Sequence, residues 1–321
     1  MARILVTGAA GFIGQALCPV LVASGHEIVG TLRHPGPAPA GVVPLIVGEI
    51  GPQTQWSAAL RGVEVVIHLA ARAHRGGAGA ALAREPAAAA ALGRAAARAG
   101  AHRIVLLSSI KAMGEATLPD RPFRPDDPPL PADAYGRAKL ATERAVARAA
   151  EADGIEYAIL RPPLVYGPGV KANFRALIRL AASGLPLPLA GIDNRRSLLF
   201  IGNLVDLVAA AAMHPAAGGR ILLARDAEEL STPGLIRVLA NALGRQGRMF
   251  ALPSWALAAL RRLPLAGPPM ARLSLSLRLD DSTTRAMLGW APPFAASPAL
   301  AATARAVAGN KPVRCELARP D

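Results

Sequence analysis

Tyr135 and Lys139, in the run Tyr135-Gly136-Arg137-Ala138-Lys139, have the four-residue spacing that places two side chains on one face of a helix. A free tyrosine has a pKa of about 10, too high for efficient proton transfer near neutrality. An adjacent ammonium favours the phenolate, so Lys139 is expected to lower the Tyr135 pKa. A phenol tuned in this way can take a proton from a hydroxyl as hydride leaves, or give one as hydride arrives. Ser109, at the end of a predicted strand, would stand beside Tyr135 and hydrogen-bond the same substrate oxygen. Tyr-x-x-x-Lys alone is a weak pattern; the serine strengthens it.

Hydride chemistry needs a carrier, and the N-terminal run Thr7-Gly8-Ala9-Ala10-Gly11-Phe12-Ile13-Gly14 has the composition to bind one. It follows a predicted strand and opens a predicted helix, the context that a dinucleotide-binding glycine motif requires. Gly8 permits the tight turn, Gly11 lets backbone N–H groups approach a pyrophosphate, and Gly14 allows close helix–sheet packing. The candidate cofactor contacts here are Gly8, Ala10, Gly11, Phe12, Ile13 and Gly14, at a helix N-terminus that favours phosphate. The second strand ends at Leu32-Arg33-His34. Arg33 cannot accept hydrogen bonds from ribose hydroxyls but can pair with a 2′-phosphate, so NADP(H) is favoured and NAD(H) stays open. An ordinary surface arginine is the alternative. Glu49 and Ile50, after the third strand, would approach the adenine, and Leu69, Ala70 and Ala71, after the fourth, would border the cofactor.

These residues must be positioned by a repeating scaffold. β-Branched runs predict strands at 3–7, 27–32, 42–47, 63–69, 103–108 and 155–161, alternating with helices at 12–23, 56–61, 86–99 and 138–152. Apolar strands alternating with helices imply an α/β protein with a Rossmann-type doubly wound parallel sheet, its ligands beyond the carboxyl ends of the strands. The periodicity changes after Gly167, with helices predicted at 174–183, 203–213, 233–243 and 254–263 and short strands at 197–201 and 220–223. The expected division is a dinucleotide-binding domain over 1–166 and a smaller, interleaved C-terminal substrate region over 167–321, with 197–224 returning to the main sheet. The alanine-rich tract 78–99 reads as a scaffold helix, with Pro86 suited to its first turn. The Pro-rich loop 118–131 is long enough to be functional or mobile.

Composition narrows the function. The net charge is +14, but of 36 basic residues only Lys111, Lys139, Lys171 and Lys311 are lysine. The arginines are scattered and aromatic residues make up 4%, which argues against a nucleic-acid-binding surface and leaves some charge for an anionic substrate or cofactor. The 2 cysteines and 6 histidines show no metal-ligand spacing, so no metal is expected. No apolar run approaches the roughly 18–20 residues that span a bilayer, and the N-terminus reads as a strand rather than a signal peptide. A cytoplasmic protein without membrane insertion is the expectation.

Five segments occur in order: TGAAGFIG, Ile67-His68-Leu69-Ala70-Ala71, Ser108-Ser109-x₄-Gly114, YGRAK, and the run from Leu160-Arg161-Pro162 to Tyr166-Gly167-Pro168-Gly169. With them the chain resembles an extended short-chain dehydrogenase/reductase of the NAD-dependent epimerase/dehydratase group, over nearly its whole length. The resemblance implies that Ser109, Tyr135 and Lys139 form a catalytic triad, that Lys139 also bonds the nicotinamide ribose, and that Pro162 borders the nicotinamide. It implies a homodimer through the helix carrying Tyr135 and its neighbour. Two features depart from the pattern. The Asp-Glu of dehydratases is replaced by Ile110-Lys111, which removes dehydration, and the region of a supporting Asn holds Glu85-Pro86 and alanines.

UDP-sugar enzymes of the group use an Asn after the Y-G-P-G turn and an arginine before a strand, and Asn173 and Arg196 stand at matching places. Arg196 could clamp a diphosphate, with Arg278 a second phosphate candidate. A helix cap is the alternative for Asn173, and a solvated charge for Arg195 or Arg196. The resulting expectation is an NAD(P)-dependent nucleotide-sugar oxidoreductase acting at C4 of a UDP-hexose or UDP-hexosamine, similar to UDP-glucose 4-epimerase-like proteins and 4-ketoreductases. Arg33 tilts the reading towards reduction. The alternatives are a ketoreductase for a non-nucleotide carbonyl and a non-catalytic cofactor-binding protein.

Overall fold

The computed structural model describes residues 1–71, 79–118, 120–253, 255–256, 259, 270 and 273–309. Its centre is a seven-stranded sheet of order β3-β2-β1-β4-β5-β6-β9, in which every neighbouring pair is parallel. The strands are β1 (Arg3–Thr7), β2 (Glu27–Leu32), β3 (Val42–Ile46), β4 (Val65–His68), β5 (Arg103–Leu107), β6 (Glu156–Leu160) and β9 (Arg220–Leu222). β7 (Leu164–Tyr166) and β8 (Leu198–Phe200) pair with each other in a separate two-stranded sheet. The segment 197–224 therefore divides: β9 extends the main sheet beside β6, while β8 stays outside it.

Both faces of the sheet are covered, which is why its strands are apolar on both sides. On one face α1 (Phe12–Ala23) and α5 (Ile201–Met213) contribute Leu17, Leu21, Leu204 and Val208 to a core with Ile4, Val6 and Ile67. On the other, α2 (Gly79–Arg98) and α3 (Ala134–Asp153) contribute Leu92, Ala96, Val146 and Ala150 against Leu5, Val66 and Ile104. The strand order reverses between β1 and β4, so the crevice beyond their carboxyl ends is the ligand position of such a sheet.

Two predicted helices differ. Residues 57–62 form turns rather than a helix, pinned by the buried Trp56 and Leu60; six residues are too few to offset the cost of helix nucleation. The helix expected over 86–99 begins at Gly79, which places Pro86 inside α2 rather than in its first turn. The extra turns carry Glu85 into the protein, where it finds an ionic partner described below. The helix predicted at 254–263 falls mostly outside the described residues. The Pro-rich loop is stitched down: Thr117 and Phe123 donate backbone N–H bonds to Ser276 and Arg278, and Phe123 accepts one from Asp280. No helix among the described residues is long and apolar enough to cross a membrane.

Candidate active site

At the carboxyl end of β1 the chain turns through Gly8, whose φ of +74° is the left-handed conformation that a side chain disfavours. A Cβ on Gly8 would also lie 3.2 Å from the Ala70 backbone, so Ala70 and the glycine turn are in close approach. Gly14 is the tightest position: a Cβ there would fall 2.4 Å from the Gly8 carbonyl oxygen and 2.6 Å from that of Ala9. Gly11 precedes α1 at the cap position and offers no side chain to cap it, so the first N–H groups of the helix keep donor capacity at its positive end. That uncapped terminus and a backbone cradle that a Cβ would fill both fit the pyrophosphate of a dinucleotide. Ala10 and Gly11 are exposed there, and Phe12 and Ile13 are half-buried.

Thr7 ties the two central strand ends together. Its hydroxyl lies 2.7 Å from Nδ1 of His68 and accepts the Ala70 N–H at 3.2 Å. His68 is buried, and its pKa is pushed down to about 3, first by desolvation and then by the Lys139 ammonium. Leu69 packs against the core, Ala71 is exposed, Arg33 and Glu49 are exposed beyond β2 and β3, and Ile50 packs against the core of the α2/α3 face.

Ser109 follows β5, where Ser108 N–H donates to Leu160 at 2.8 Å and Ile110 N–H donates to the Pro162 carbonyl at 2.9 Å. The second of these bonds fixes Pro162 against the Ser109 loop. Asp133 caps α3 by accepting the Gly136 N–H at 2.6 Å, and Lys111 holds the same carboxylate at 2.6 Å. Gly136 permits this contact: a Cβ there would lie 2.3 Å from the Lys111 carbonyl oxygen. With the helix start fixed, Tyr135 stands beside the Ser109 hydroxyl, and the Lys139 ammonium lies 5.8 Å from the Tyr135 ring centre.

The expected lowering of the Tyr135 pKa does not occur. It is pushed up to about 12, foremost by burial and next by the Glu85 carboxylate; Asp133 adds to the rise and the Ser109 hydroxyl opposes it. The physical reason is foremost the burial of the phenol; beside it, Lys139 is not a bare ammonium. Its Nζ lies 2.5 Å from Glu85 Oε1, in an ion pair whose side chains are 2% and 10% exposed. One turn further along α3, Glu143 takes a two-pronged contact from Arg161 and a short hydrogen bond from Ser108, with both ionic partners 3% exposed. Sequence reasoning did not assign Asp133, the Lys111–Asp133 contact, the Glu85–Lys139 pair or the Glu143–Arg161 pair. Only Glu143 had a legible signal, one further helical step of four beyond Lys139.

Arg196 and Arg278 come together on a second patch. Arg196 bridges to Leu277 and Leu230, its guanidinium donates to the Leu275 carbonyl at 3.1 Å, and Arg278 pairs with Glu229 at 2.8 Å. The strap from the Ser109 loop to residues 276–280 joins this patch to the Tyr135 site. Asn173 is exposed at the second position of α4 (Ala172–Ala182), and the cap residue is Lys171 rather than Asn173.

The chain matches the sequence pattern of the NAD dependent epimerase/dehydratase family over residues 4–223. It belongs to that family. A UDP-glucose 4-epimerase of Vibrio cholerae is 37% identical over 298 residues, 90% of each chain. A 3 beta-hydroxysteroid dehydrogenase/Delta 5-->4-isomerase of Mycobacterium tuberculosis is 28% identical, over 94% of this chain and 89% of that one. Among solved structures, a UDP-glucuronic acid 4-epimerase of Bacillus cereus in complex with NAD superposes with a TM-score of 0.77 at 23% identity, over 96% of this chain and 99% of that one, a likeness of fold.

Proposed function

We propose that the protein is a nucleotide-sugar oxidoreductase acting at C4 of a UDP-hexose or UDP-hexosamine, and that it runs as an NADPH-dependent 4-ketoreductase. The observation that carries the reading is the Tyr135 phenol beside Ser109, with the buried, ion-paired Lys139 ammonium 5.8 Å from its ring centre. A bound dihydronicotinamide would supply the hydride. Tyr135, protonated at neutral pH, would donate its proton to the C4 oxygen, and Ser109 would hold that oxygen by a hydrogen bond. Lys139 would orient the cofactor ribose, the glycine turn would hold the pyrophosphate, and Leu69, Ala70, Ala71, Glu49, Ile50 and Pro162 would line the dinucleotide. Arg196, Arg278 and Asn173 would receive the UDP portion. The 37%-identical relative named for UDP-glucose supports the substrate class. The exposed Arg33 supports a 2′-phosphate and hence NADP(H).

Native mass spectrometry of the purified protein, followed by assay with NADPH and a UDP-4-ketohexose, tests this. An empty protein that oxidises NADPH only with the keto sugar is expected, and Tyr135→Phe should remove turnover. A tightly retained NAD with UDP-glucose/UDP-galactose interconversion would replace reduction by epimerisation. The similarity to a steroid dehydrogenase favours one other reading, a reductase of an apolar carbonyl. Thermal stabilisation by apolar ketones but not by UDP or UDP-sugars would establish it instead. The homodimer is proposed to form through α2 and α3, and sedimentation checks it.

A further inference from the structure

The positive charge of the chain is unevenly placed. Residues 171–196 hold five basic residues against one acid, Asp193, and residues 230–279 hold seven arginines and no Asp or Glu. Most of the net +14 therefore lies in these two segments. The fold joins them. α4 packs against α6 (Thr232–Ala242). Leu187 N–H donates to the Arg248 carbonyl at 3.0 Å, Phe250 N–H to that of Leu187 at 3.0 Å, and Ala190 N–H to that of Phe250 at 3.1 Å. Met249 packs inward against the core, so Phe250, next along this extended ladder, is turned outward and is 46% exposed. Leu185, two residues before the ladder, is 63% exposed, and Trp255, just after it, is 74% exposed. The same two segments present Lys171, Arg179, Arg237, Arg245 and Arg248 to solvent, and none of these five has an ion-pair partner among the described residues.

We propose that this face is a docking surface for an anionic lipid bilayer, with Phe250 and Trp255 entering the headgroup region and Arg245 and Arg248 meeting lipid phosphates. An indole has an apolar body and a polar N–H, which suits it to the boundary between acyl chains and water. Apolar tips set among unpaired cations bind such an interface by apolar burial together with attraction to acidic lipids. Charge selects among occupants. A second copy of the chain seated on this face would set like charges against each other. A nucleic-acid strand would call for a row of aromatic platforms, whereas this face also offers the aliphatic Leu185 and the chain is 4% aromatic. The docking is peripheral, because no helix among the described residues is long and apolar enough to cross a membrane. It would hold the Arg196/Arg278 patch, carried on the same two segments, near the lipid surface.

The 3 tryptophans supply a probe. Trp56 and Trp290 are 4% and 7% exposed, so a change of surroundings on docking is read at Trp255, with Trp255→Phe as the spectral background. The whole chain is mixed with vesicles of equal parts phosphatidylcholine and phosphatidylglycerol, or of phosphatidylcholine alone, with neither substrate nor cofactor. Co-sedimentation with the anionic vesicles is expected, at least tenfold stronger than with the neutral ones and weakened by salt. The Trp255 emission should shift to the blue and be quenched by brominated acyl chains. A basic residue near an anionic surface contributes about fivefold in affinity, so Arg245→Gln/Arg248→Gln should weaken vesicle binding at least tenfold. Trp255→Ser, at an exposed position where folding is not at stake, should weaken it by about fivefold or more. Absence of co-sedimentation with anionic vesicles overturns the proposal, and so does binding at wild-type strength in both variants. A Trp255 shift that appears on raising protein concentration without lipid would make the face a contact between copies and overturn it. An equal Trp255 response to a single-stranded oligonucleotide would do the same in favour of nucleic acid.

Discussion

Replacing Gly14 by alanine probes the contact that seats α1 on the β1 turn. The new Cβ would meet the Gly8 carbonyl oxygen at 2.4 Å, the Ala9 carbonyl oxygen at 2.6 Å and the Ala9 Cα at 2.7 Å. An ordinary contact begins near 3.4 Å, so α1 would have to retreat by about 1 Å. All three neighbours are backbone, and none can rotate away. Overpacking of this kind costs ~1–3 kcal/mol, and the absence of a movable side chain puts this site at the upper end. Alanine returns about 1 kcal/mol through its better helix propensity, leaving a net loss of roughly 2 kcal/mol. Urea unfolding measures the loss. Titration with NADPH should show at least tenfold weaker binding, because the retreat moves the phosphate-facing N–H groups. Gly79→Ala is the control: nothing lies within 4 Å of its Cβ position, so stability should be unchanged or slightly improved. Equal effects of the two substitutions, or a Gly14→Ala protein as stable and as tight-binding as the wild type, would refute the close-approach reasoning.

Other outcomes can be checked on the same preparations. Glu143→Ala strands the Arg161 guanidinium, which is 3% exposed, and should cost about 3–5 kcal/mol in urea unfolding; Glu143→Ala/Arg161→Met should recover part of that loss. His68 has a folded-state pKa of about 3 against an ordinary value of 6.5, so the unfolded chain takes up its proton first as pH falls. Its stabilising contribution is complete above about pH 6.5 and declines by roughly 1.4 kcal/mol per pH unit on acidification towards pH 3. His68→Asn should therefore show a shallower stability–pH slope than the wild type in that window; parallel slopes would count against a buried neutral imidazole. Arg33→Asp should shift the ratio of NADPH to NADH affinity towards NADH by at least tenfold, and an unchanged ratio would leave Arg33 a surface residue.

Much of this protein is written locally. The glycine turn was legible because a tight turn, a close backbone approach and an uncapped helix start each demand glycine at a fixed offset. The strands of the main sheet were legible because burial on both faces leaves continuous apolar runs, and the Tyr135/Lys139 pairing because a helix puts residues four apart on one face. Element ends were less legible: Pro86 reads as a helix start, yet α2 runs through it, since contacts distant in sequence outweigh the local cost. The charge state of the site belonged to the tertiary structure alone. Glu85 and Lys139 are 54 residues apart, and nothing near either one announces the other. Lys139 read from the sequence is a cation that should acidify Tyr135; in the folded chain, burial and Glu85 reverse that effect. Electrostatics in a low-dielectric interior depends on every group within a few ångströms, and only the fold decides which groups those are.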